Sequence, residues 1–215
     1  MKRVFNNMFV VVTLMFALTG ISCAAEYQEG KHYKRIDTQK TANPDKVEVL
    51  EFFWYGCPHC YQFEPHIKQW KKNKPANVDF YRVPATFRPL WALHARAYYA
   101  LEMMGQLEKV HPYMFSEIHN NKNLLGSVDD LASFVSKHGV DRSEFVDTMN
   151  SFSVENSLRK ATRKVNDYKI NGVPAIAVNG KYLVTGSMAG NYDNMIKITQ
   201  YLVEKESIKT AALKK

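Results

Sequence analysis

Apolar residues along the chain follow two patterns, one typical of strands and one typical of helices. Val47 to Trp54 (VEVLEFFW) is almost continuously hydrophobic and aromatic, and this run ends just before Gly56. It predicts a buried central strand. From Pro58 to Trp70 apolar residues recur at helical spacing with lysines between them, which predicts a helix. Residues 78–83 have the pattern of a second strand, so this part of the chain predicts a right-handed βαβ unit.

Between residues 89 and 175 the strand patterns stop and helical periodicity takes over. Ser127 with Asp130, and Asp141 with Glu144, have the spacing of helix-capping pairs. The predicted helices of this segment cover residues 91–104, 107–119, 127–138, a short stretch from 141, and 154–168. The segment is therefore expected to be all-helical.

Strand patterns return near the carboxyl end of the chain. Residues 175–178 and 181–184 are short apolar runs separated by Asn179-Gly180. Asn-Gly between two apolar runs is the strongest short-range signal for a β-hairpin. The stretch from Tyr192 to Ile208 predicts a final helix.

Together these elements predict an α/β protein in which a small sheet is interrupted by an all-helical domain. Residues 25–87 and 169–215 would form the discontinuous sheet domain, and residues 88–168 the helical insertion. The chain has 215 residues, of which 46% are hydrophobic and 23% charged. This composition supports a globular core and argues against a disordered or fibrous protein. No stretch has the roughly 20 apolar residues of a spanning helix, which excludes a multi-span membrane protein.

The first 24 residues have the pattern of a cleaved signal peptide. Lys2-Arg3 precedes an apolar run from Met8 to Leu18, which suits a signal sequence and is short for a membrane span. Ser22 and Ala24 fit the positions three and one before a cleavage point, so we place the mature start at Ala25. Two alternatives stay open: an uncleaved amphipathic anchor, and a lipoprotein acylated at Cys23.

Cleavage changes both the cysteine count and the charge. Cys23 leaves with the leader, so the mature chain keeps only Cys57 and Cys60, too few for a disulfide-stapled scaffold. The net charge falls from +8 to +6, with 27 Lys and Arg against 21 Asp and Glu. Basic clusters at 68–74 and 159–164 lie on predicted helices without a nucleic-acid motif. We interpret them as solvated helix faces and expect no nucleic-acid binding.

The candidate chemistry is concentrated in Cys57-Pro58-His59-Cys60. A structural disulfide across two intervening residues would remove little loop entropy, so it would stabilise the fold only slightly. A zinc or copper site would need four ligands, and the mature chain has no second cysteine pair. A redox dithiol needs one exposed thiolate at a helix start and a resolving thiol one turn further on. Of these three interpretations we favour the redox dithiol, with no metal and no cofactor.

Three features of the motif favour a negative charge on Cys57. The sulfur lies at or just before the first helical turn, where free backbone N–H groups and the helix dipole stabilise an anion. Pro58 suits the first helical position, because its missing N–H would have no partner there. His59 adds a positive or hydrogen-bonding group close to the sulfur. We therefore predict an acidic Cys57, and a resolving Cys60 with an ordinary or raised pKa.

An acidic Cys57 also sets the direction of the redox reaction. Stabilising the thiolate stabilises the reduced protein relative to its disulfide. Each pKa unit below ambient pH favours the dithiol by about 1.4 kcal/mol, or about 30 mV. The protein should therefore donate disulfides rather than reduce them.

The segment EFFWYGCPHCYQFEP resembles the active-site segment of the DsbA-type thiol:disulfide oxidoreductases. Gly172 to Ala175 (GVPA), followed by VNGKY at 178–182, is similar to the cis-proline loop and hairpin of that family. The resemblance covers the mature chain and implies a thioredoxin-like fold with an inserted all-helical domain. It also implies a periplasmic enzyme that oxidises newly exported polypeptides and is re-oxidised by a quinone-linked membrane partner of the DsbB type. We expect a monomer.

The resemblance also assigns roles to residues outside the motif. Val173 and Pro174 should face the dithiol, with a cis peptide bond between them that leaves the Val173 backbone free to pair with an extended substrate. Glu51 corresponds to a buried acid that moves protons for Cys60 in the family. Its usual lysine partner falls at Arg82 in an ungapped reading from residue 78. Arginine keeps the charge but cannot give up a proton, so the chain departs from the family's pattern at this relay.

Two other functions stay open at this point. One is a disulfide isomerase or reductase of the same fold, and the other is a thiol-dependent metal-binding module. The other histidines lack metal-ligand spacing, and we expect them to be surface or structural residues: His32, His66, His94, His111, His119 and His138.

Overall fold

The structure is a computed structural model that describes residues 27–212. The predicted leader lies outside the described residues. The strands are β1 (Lys34–Arg35), β2 (Val47–Phe53), β3 (Val78–Pro84), β4 (Ala175–Val178) and β5 (Tyr182–Thr185). The helices are α1 (Pro58–Asn73), α2 (Pro89–Met103), α3 (Leu107–His119), α4 (Val128–Lys137), α5 (Arg142–Met149), α6 (Phe152–Asp167), α7 (Gly186–Ala189) and α8 (Tyr192–Ala212). None of the described helices is long and apolar enough to cross a membrane.

Strand β2 lies inside the sheet, whose order is β1-β5-β4-β2-β3. It pairs in parallel with β3 and antiparallel with β4. All seven of its residues are buried, as the nearly continuous apolar run predicts for a strand covered on both faces. Its two acidic residues, Glu48 and Glu51, are buried with the rest.

The predicted strand–helix–strand unit is confirmed as β2, α1 and β3. Helix α1 begins at Pro58, with Cys57 as its extended N-cap residue. A proline fits this first position because its fixed φ angle already matches the helix. Phe63, Ile67 and Trp70 form the buried face of α1 together with Cys60. The end of β2 and the start of α1 therefore place the cysteine pair at the edge of the core.

Helices α2 to α6, which we call the helical block, lie between β3 and β4 in the chain. Two of the predicted helix starts are confirmed: the Ser127 side chain accepts a hydrogen bond from the Asp130 N–H, and Asp141 accepts one from the Glu144 N–H. The apolar faces of the block share one core cluster with Phe53, at the end of β2. The helical block thus packs against the end of β2 that leads into the cysteine pair.

The predicted hairpin is confirmed as β4 and β5, joined at Asn179-Gly180. Both residues have positive φ angles, 52° and 64°, which is the backbone of a type I′ turn. A Cβ on Gly180 would lie 2.2 Å from the Gln39 carbonyl oxygen, so only glycine fits this position. The glycine of the predicted turn therefore also lets the backbone at Gln39 pack closely against the hairpin.

Two short elements were not predicted from the sequence. Strand β1 has only two residues and pairs with β5, and α7 has only four residues. Neither is long enough to show a hydrophobic period. The final helix begins at Tyr192 as predicted and continues past Ile208 to Ala212.

The carboxylate of Glu206 on α8 ties that helix to the β4–β5 hairpin. It is fully buried and accepts hydrogen bonds from Asn179, Lys181 and Tyr182 of the hairpin, and from Lys209. Burial opposes the charge, but the hydrogen bonds from Lys181, Asn179 and Lys209 outweigh it and lower the pKa of Glu206 to about 2. A depressed folded-state pKa means that the carboxylate stabilises the fold above its ordinary pKa of 4.5.

We expect Glu206→Gln to lower the free energy of unfolding at pH 7 by about 2 kcal/mol, because charged hydrogen bonds become neutral ones. The difference from the wild type should shrink as the pH falls from about 4.5 to 2, where the wild-type carboxylate takes up its proton. Urea unfolding at several pH values measures both effects. Glu204→Gln is the control, since Glu204 is exposed on the same helix. An equal loss in the two variants at pH 7 would contradict the assignment.

Candidate active site

Cys57 and Cys60 lie at the amino end of α1, directly after β2. The Cys57 N–H donates to the Trp54 carbonyl at 3.0 Å, and the Tyr61 N–H donates to the Cys57 carbonyl at 3.1 Å. These bonds fix the turn into the helix. Both cysteines are free thiols, 8% and 1% exposed. The pair therefore has one sulfur close to the surface and one inside the core.

The pKa of Cys57 is lowered to about 6. The strongest cause is a hydrogen bond from the Cys60 thiol, and burial acts in the opposite direction. Backbone hydrogen bonds from Cys60 and His59, and the charge of the His59 ring, lower the pKa further. The direction agrees with the sequence-based expectation. The sequence analysis named the helix start and His59 as causes, and both lower the pKa of Cys57 less than the hydrogen bond from the Cys60 thiol does.

The pKa of Cys60 moves in the opposite direction, well above its ordinary value. Burial is the main cause, followed by its hydrogen bond to Cys57 and the proximity of a Cys57 anion. The negative charge of Glu51 adds to the effect. At neutral pH the dithiol therefore carries its charge on Cys57 and its proton on Cys60.

Val173 and Pro174 lie beside the cysteine pair, and the peptide bond between them is cis, as expected. The Cys57 sulfur lies 3.4 Å from the Val173 carbonyl oxygen, to which it donates a hydrogen bond in its protonated form. The same loop leads into β4, the antiparallel neighbour of β2. The sheet thus brings residues 116 positions apart into contact at the reactive sulfur.

His59 is exposed and is held by a residue that sequence reasoning missed. Its Nδ1 atom lies 3.1 Å from the Tyr192 hydroxyl, and that hydroxyl donates to Gln62 Oε1 at 2.9 Å. Because the single Tyr192 proton goes to Gln62, His59 Nδ1 is the donor in the first bond. Tyr192 begins α8, where nothing in the local sequence points to the motif.

A groove of about 790 Å³ runs beside these residues. It is lined in part by His59, Gln62, Val173, Pro174, Met188 and Tyr192. One wall comes from the motif and another from the cis-proline loop. An extended chain lying in this groove would therefore pass next to Cys57.

Glu51 and Arg82 are direct partners, as the ungapped reading expected. Arg82 Nε donates to Glu51 Oε2 at 2.8 Å, and its Nη2 atom donates to both oxygens of Glu64 at 2.8 and 2.9 Å. His111 Nε2 lies 3.5 Å from Glu64 Oε2. The site thus holds a buried carboxylate, Glu51, and a partly exposed one, Glu64, around one arginine.

This group has two carboxylates and one guanidinium, and the pKa values of its members are shifted from their ordinary values. Burial raises the pKa of Glu51 and of Glu64, against the attraction of Arg82. Burial and then the Arg82 charge hold the pKa of His111 well below its usual range, so the imidazole is neutral. Glu64 was not named from the sequence. Its position four residues after Cys60, on the same helix face, is the signal that could have found it.

The chain is similar to known proteins over almost its full length. Residues 78–195 match the model of the DSBA-like thioredoxin domain. The thiol:disulfide interchange protein DsbA of Pseudomonas aeruginosa is 38% identical over 203 residues, which cover 94% of this chain and 96% of that protein. The chain belongs to the DsbA family. DsbA of Azotobacter vinelandii is likewise 38% identical, over 96% of this chain and 98% of that protein.

Solved DsbA structures agree with the fold described above. The crystal structure of Pseudomonas aeruginosa DsbA matches with a TM-score of 0.82 and 40% identity, over 88% of this chain and 97% of that one. The DsbA structure from Xylella fastidiosa matches with a TM-score of 0.79 and 34% identity, over 84% and 97% of the two chains. The thioredoxin-like DsbA fold is thus confirmed, and so is the general activity, a thiol:disulfide oxidoreductase. Within residues 27–212, no group of three or more His, Cys, Asp or Glu side chains could hold a metal ion.

The two carboxylates around Arg82 predict an unusual pH dependence of stability. Because burial raises the pKa of Glu51, its stabilising contribution is present below the ordinary carboxyl pKa and is lost as the pH rises. We expect Glu51→Gln to raise the free energy of unfolding at pH 7 by about 1–2 kcal/mol, since one carboxylate then remains for one arginine. The gain should vanish near pH 4. Urea unfolding at both pH values measures it.

Arg82→Met is the matched comparison, because it removes the cation that the two carboxylates share. It should destabilise the protein at pH 7 by about 3–5 kcal/mol. A Glu51→Gln variant that is less stable than the wild type at pH 7 would show that the charges are balanced after all.

Proposed function

We propose that this DsbA-family protein donates its Cys57–Cys60 disulfide to newly exported polypeptides in the periplasm. The observation that carries the proposal is the split in acidity within the pair. The pKa of Cys57 is lowered to about 6, and that of Cys60 is raised. A dithiol whose anion is this well stabilised makes its disulfide a good oxidant.

The proposed reaction has two thiol-exchange steps. A substrate thiolate attacks the Cys57 sulfur, the Cys57–Cys60 bond breaks, and Cys60 leaves and takes up a proton. A second substrate thiolate then attacks the substrate sulfur of this mixed disulfide and expels Cys57 as a thiolate. The substrate loses two electrons and gains a disulfide, while the enzyme becomes the dithiol. A low pKa of Cys57 favours the second step, because Cys57 is then a good leaving group.

The groove beside Val173 supports the binding of the substrate as an extended peptide. The Val173 carbonyl lies 3.4 Å from the Cys57 sulfur, so a peptide joined to Cys57 would run along this loop. We propose that the Val173 backbone pairs with the extended peptide, with Pro174 in its cis form shaping the loop. His59 lines the same groove and supports the Cys57 anion. Pro58 fixes the start of the helix.

We propose that Glu51 accepts the proton that Cys60 releases when Cys60 acts as a nucleophile. The raised pKa of Glu51 makes the carboxylate a better base than an ordinary glutamate. Arg82 cannot release a proton, so its role is to hold Glu51 and Glu64 in place. The two carboxylates then share the work that a glutamate–lysine pair would do.

The remaining parts of the proposal concern location and partners. The leader pattern of residues 1–24 supports export and cleavage. Each turnover leaves the dithiol, so an external oxidant must restore the disulfide. We propose a quinone-linked membrane oxidase of the DsbB type for this step, and a monomeric enzyme without a cofactor.

The ionisation of Cys57 tests the proposal most simply. In the reduced protein the ultraviolet absorbance of the thiolate should titrate near pH 6 and be absent in Cys57→Ser. Cys60→Ala should raise this midpoint, because it removes the strongest donor to the sulfur. Cys60→Ser keeps a hydroxyl donor and should titrate between the two. A wild-type midpoint between 8 and 9, as for a free thiol, would contradict the donor function.

The equilibrium with glutathione separates the proposed donor from its alternatives. A disulfide donor should be markedly more oxidising than thioredoxin, and should oxidise a reduced, unfolded protein only when Cys57 is present. A potential close to that of thioredoxin would favour a reductase or isomerase. Zinc or copper that survives dialysis and is lost in Cys57→Ser would favour a metal-binding module.

A further inference from the structure

We propose that three histidines of the helical block, His94, His111 and His119, are positioning residues for the disulfide chemistry. They hold Trp54 and Tyr55, the residues that lead into the cysteine motif. The inference rests on the proposed function, since it concerns how the Cys57 anion is supported. None of the three is placed at the reacting sulfurs, so each would act through the chain segment that it holds.

His94 on α2 fixes the side chain of Trp54. Trp54 Nε1 donates to His94 Nδ1 at 3.1 Å, and His94 Nε2 faces the Leu124 carbonyl at 3.0 Å. One nitrogen accepts and the other donates, so the ring is neutral and in a single tautomer. Burial supports this state by lowering the pKa of His94. The indole also stacks on Trp91, with ring centres 4.1 Å apart.

The indole of Trp54 in turn covers the residue before Cys57. A Cβ added to Gly56 would lie 2.3 Å from the Trp54 ring. The backbone at Gly56 therefore has the indole directly against it. A shift of the Trp54 side chain would therefore change the packing against Gly56, at the turn into α1.

His111 and His119, both on α3, hold Tyr55 at two points. The Tyr55 hydroxyl lies 2.7 Å from His111 Nδ1, and His119 Nε2 donates to the Tyr55 carbonyl at 2.8 Å. The His119 ring also stacks on Tyr61, with centres 4.8 Å apart and planes 6° from parallel. Tyr55 lies two residues before Cys57, and Tyr61 directly follows Cys60. The His119 imidazole thus contacts residues on both sides of the cysteine motif.

These contacts affect Cys57 because the stabilisation of its anion depends on the geometry of the hydrogen bonds that it accepts. The Cys57 N–H bonds to the Trp54 carbonyl at 3.0 Å, which sets where α1 begins. The Cys57 anion then relies on hydrogen bonds from Cys60 and His59 in the first turn of that helix. Hydrogen bonds weaken steeply as their angles depart from linear. Releasing the segment should therefore raise the pKa of Cys57 and make the disulfide less oxidising.

Variants at His119 separate its two contacts. His119→Phe keeps a ring to stack on Tyr61 and loses the donor to Tyr55, whereas His119→Gln keeps a donor and loses the ring. His138→Phe is the matched control, because the ring contacts of His138 are with Tyr113 and Phe134, which lie outside the segment from Trp54 to Tyr61. The thiolate titration of Cys57 and the glutathione equilibrium are measured for each purified, reduced protein.

We expect His119→Phe to raise the Cys57 midpoint by about half a pH unit, which shifts the glutathione equilibrium about threefold toward the disulfide. His119→Gln should recover part of this shift, and His138→Phe should match the wild type. A His119→Phe protein that loses stability but titrates like the wild type would overturn the inference. An ordinary midpoint in the wild type itself would instead count against the proposed function.

A second variant keeps the test valid if His119→Phe does not fold. Trp54→Phe keeps an aromatic ring beside Trp91 and removes the donor to His94. It should also raise the Cys57 midpoint. An unchanged midpoint in a folded Trp54→Phe protein would show that the His94 contact has no effect on the sulfur.

Discussion

The negative charge on the Cys57 sulfur is the feature on which the rest of the site depends. A thiolate at the edge of a protein core is stable only where donors replace the water that it has lost. Here the Cys60 thiol and the N–H groups at the start of α1 act as those donors. The other structures around the motif, from buried β2 to the cis-proline loop, fix the position of this sulfur. The same charge is the physical basis of the proposed direction, in which the substrate reduces the enzyme.

A second group of charged residues, at the pairing of β2 with β3, is energetically less favourable. Arg82 is shared between Glu51 and Glu64, with neutral His111 at their side. Removal from water raises the pKa of both carboxylates against the attraction of Arg82, so each binds a proton more readily than an exposed glutamate does. In the proposed function, Glu51 of this group is the base for the resolving cysteine. The proposal therefore places proton transfer on the same residues that determine the pH dependence of stability.

Local chemistry accounts for what could be predicted from the sequence. The Cys-Pro-His-Cys motif, the buried strand before it and the Asn-Gly turn each depend on neighbours within a few residues. The capping serine and aspartate of α4 and α5 belong to the same class. The pairing of Glu51 with Arg82 followed from strand register alone.

The contacts that were not predicted join residues far apart in the sequence. His94, His111 and His119 lie scattered along two helices, and only the packing of the helical block brings them to Trp54 and Tyr55. Tyr192 reaches His59 across 133 positions of sequence. No periodicity or motif records such contacts, because they arise from tertiary packing. Strand β1 and α7 were missed for a simpler reason, since both are too short to form a pattern.

The most direct test of the account compares the stability of the reduced and the oxidised protein. At pH 7 a thiol with a pKa of about 6 is mostly ionised, which stabilises the folded dithiol by about 1.4 kcal/mol over one that titrates at 9. Denaturant unfolding of both forms should show the reduced protein to be the more stable. Its advantage should grow between pH 5 and pH 8, as Cys57 loses its proton. An oxidised form that is more stable throughout this range would contradict the account.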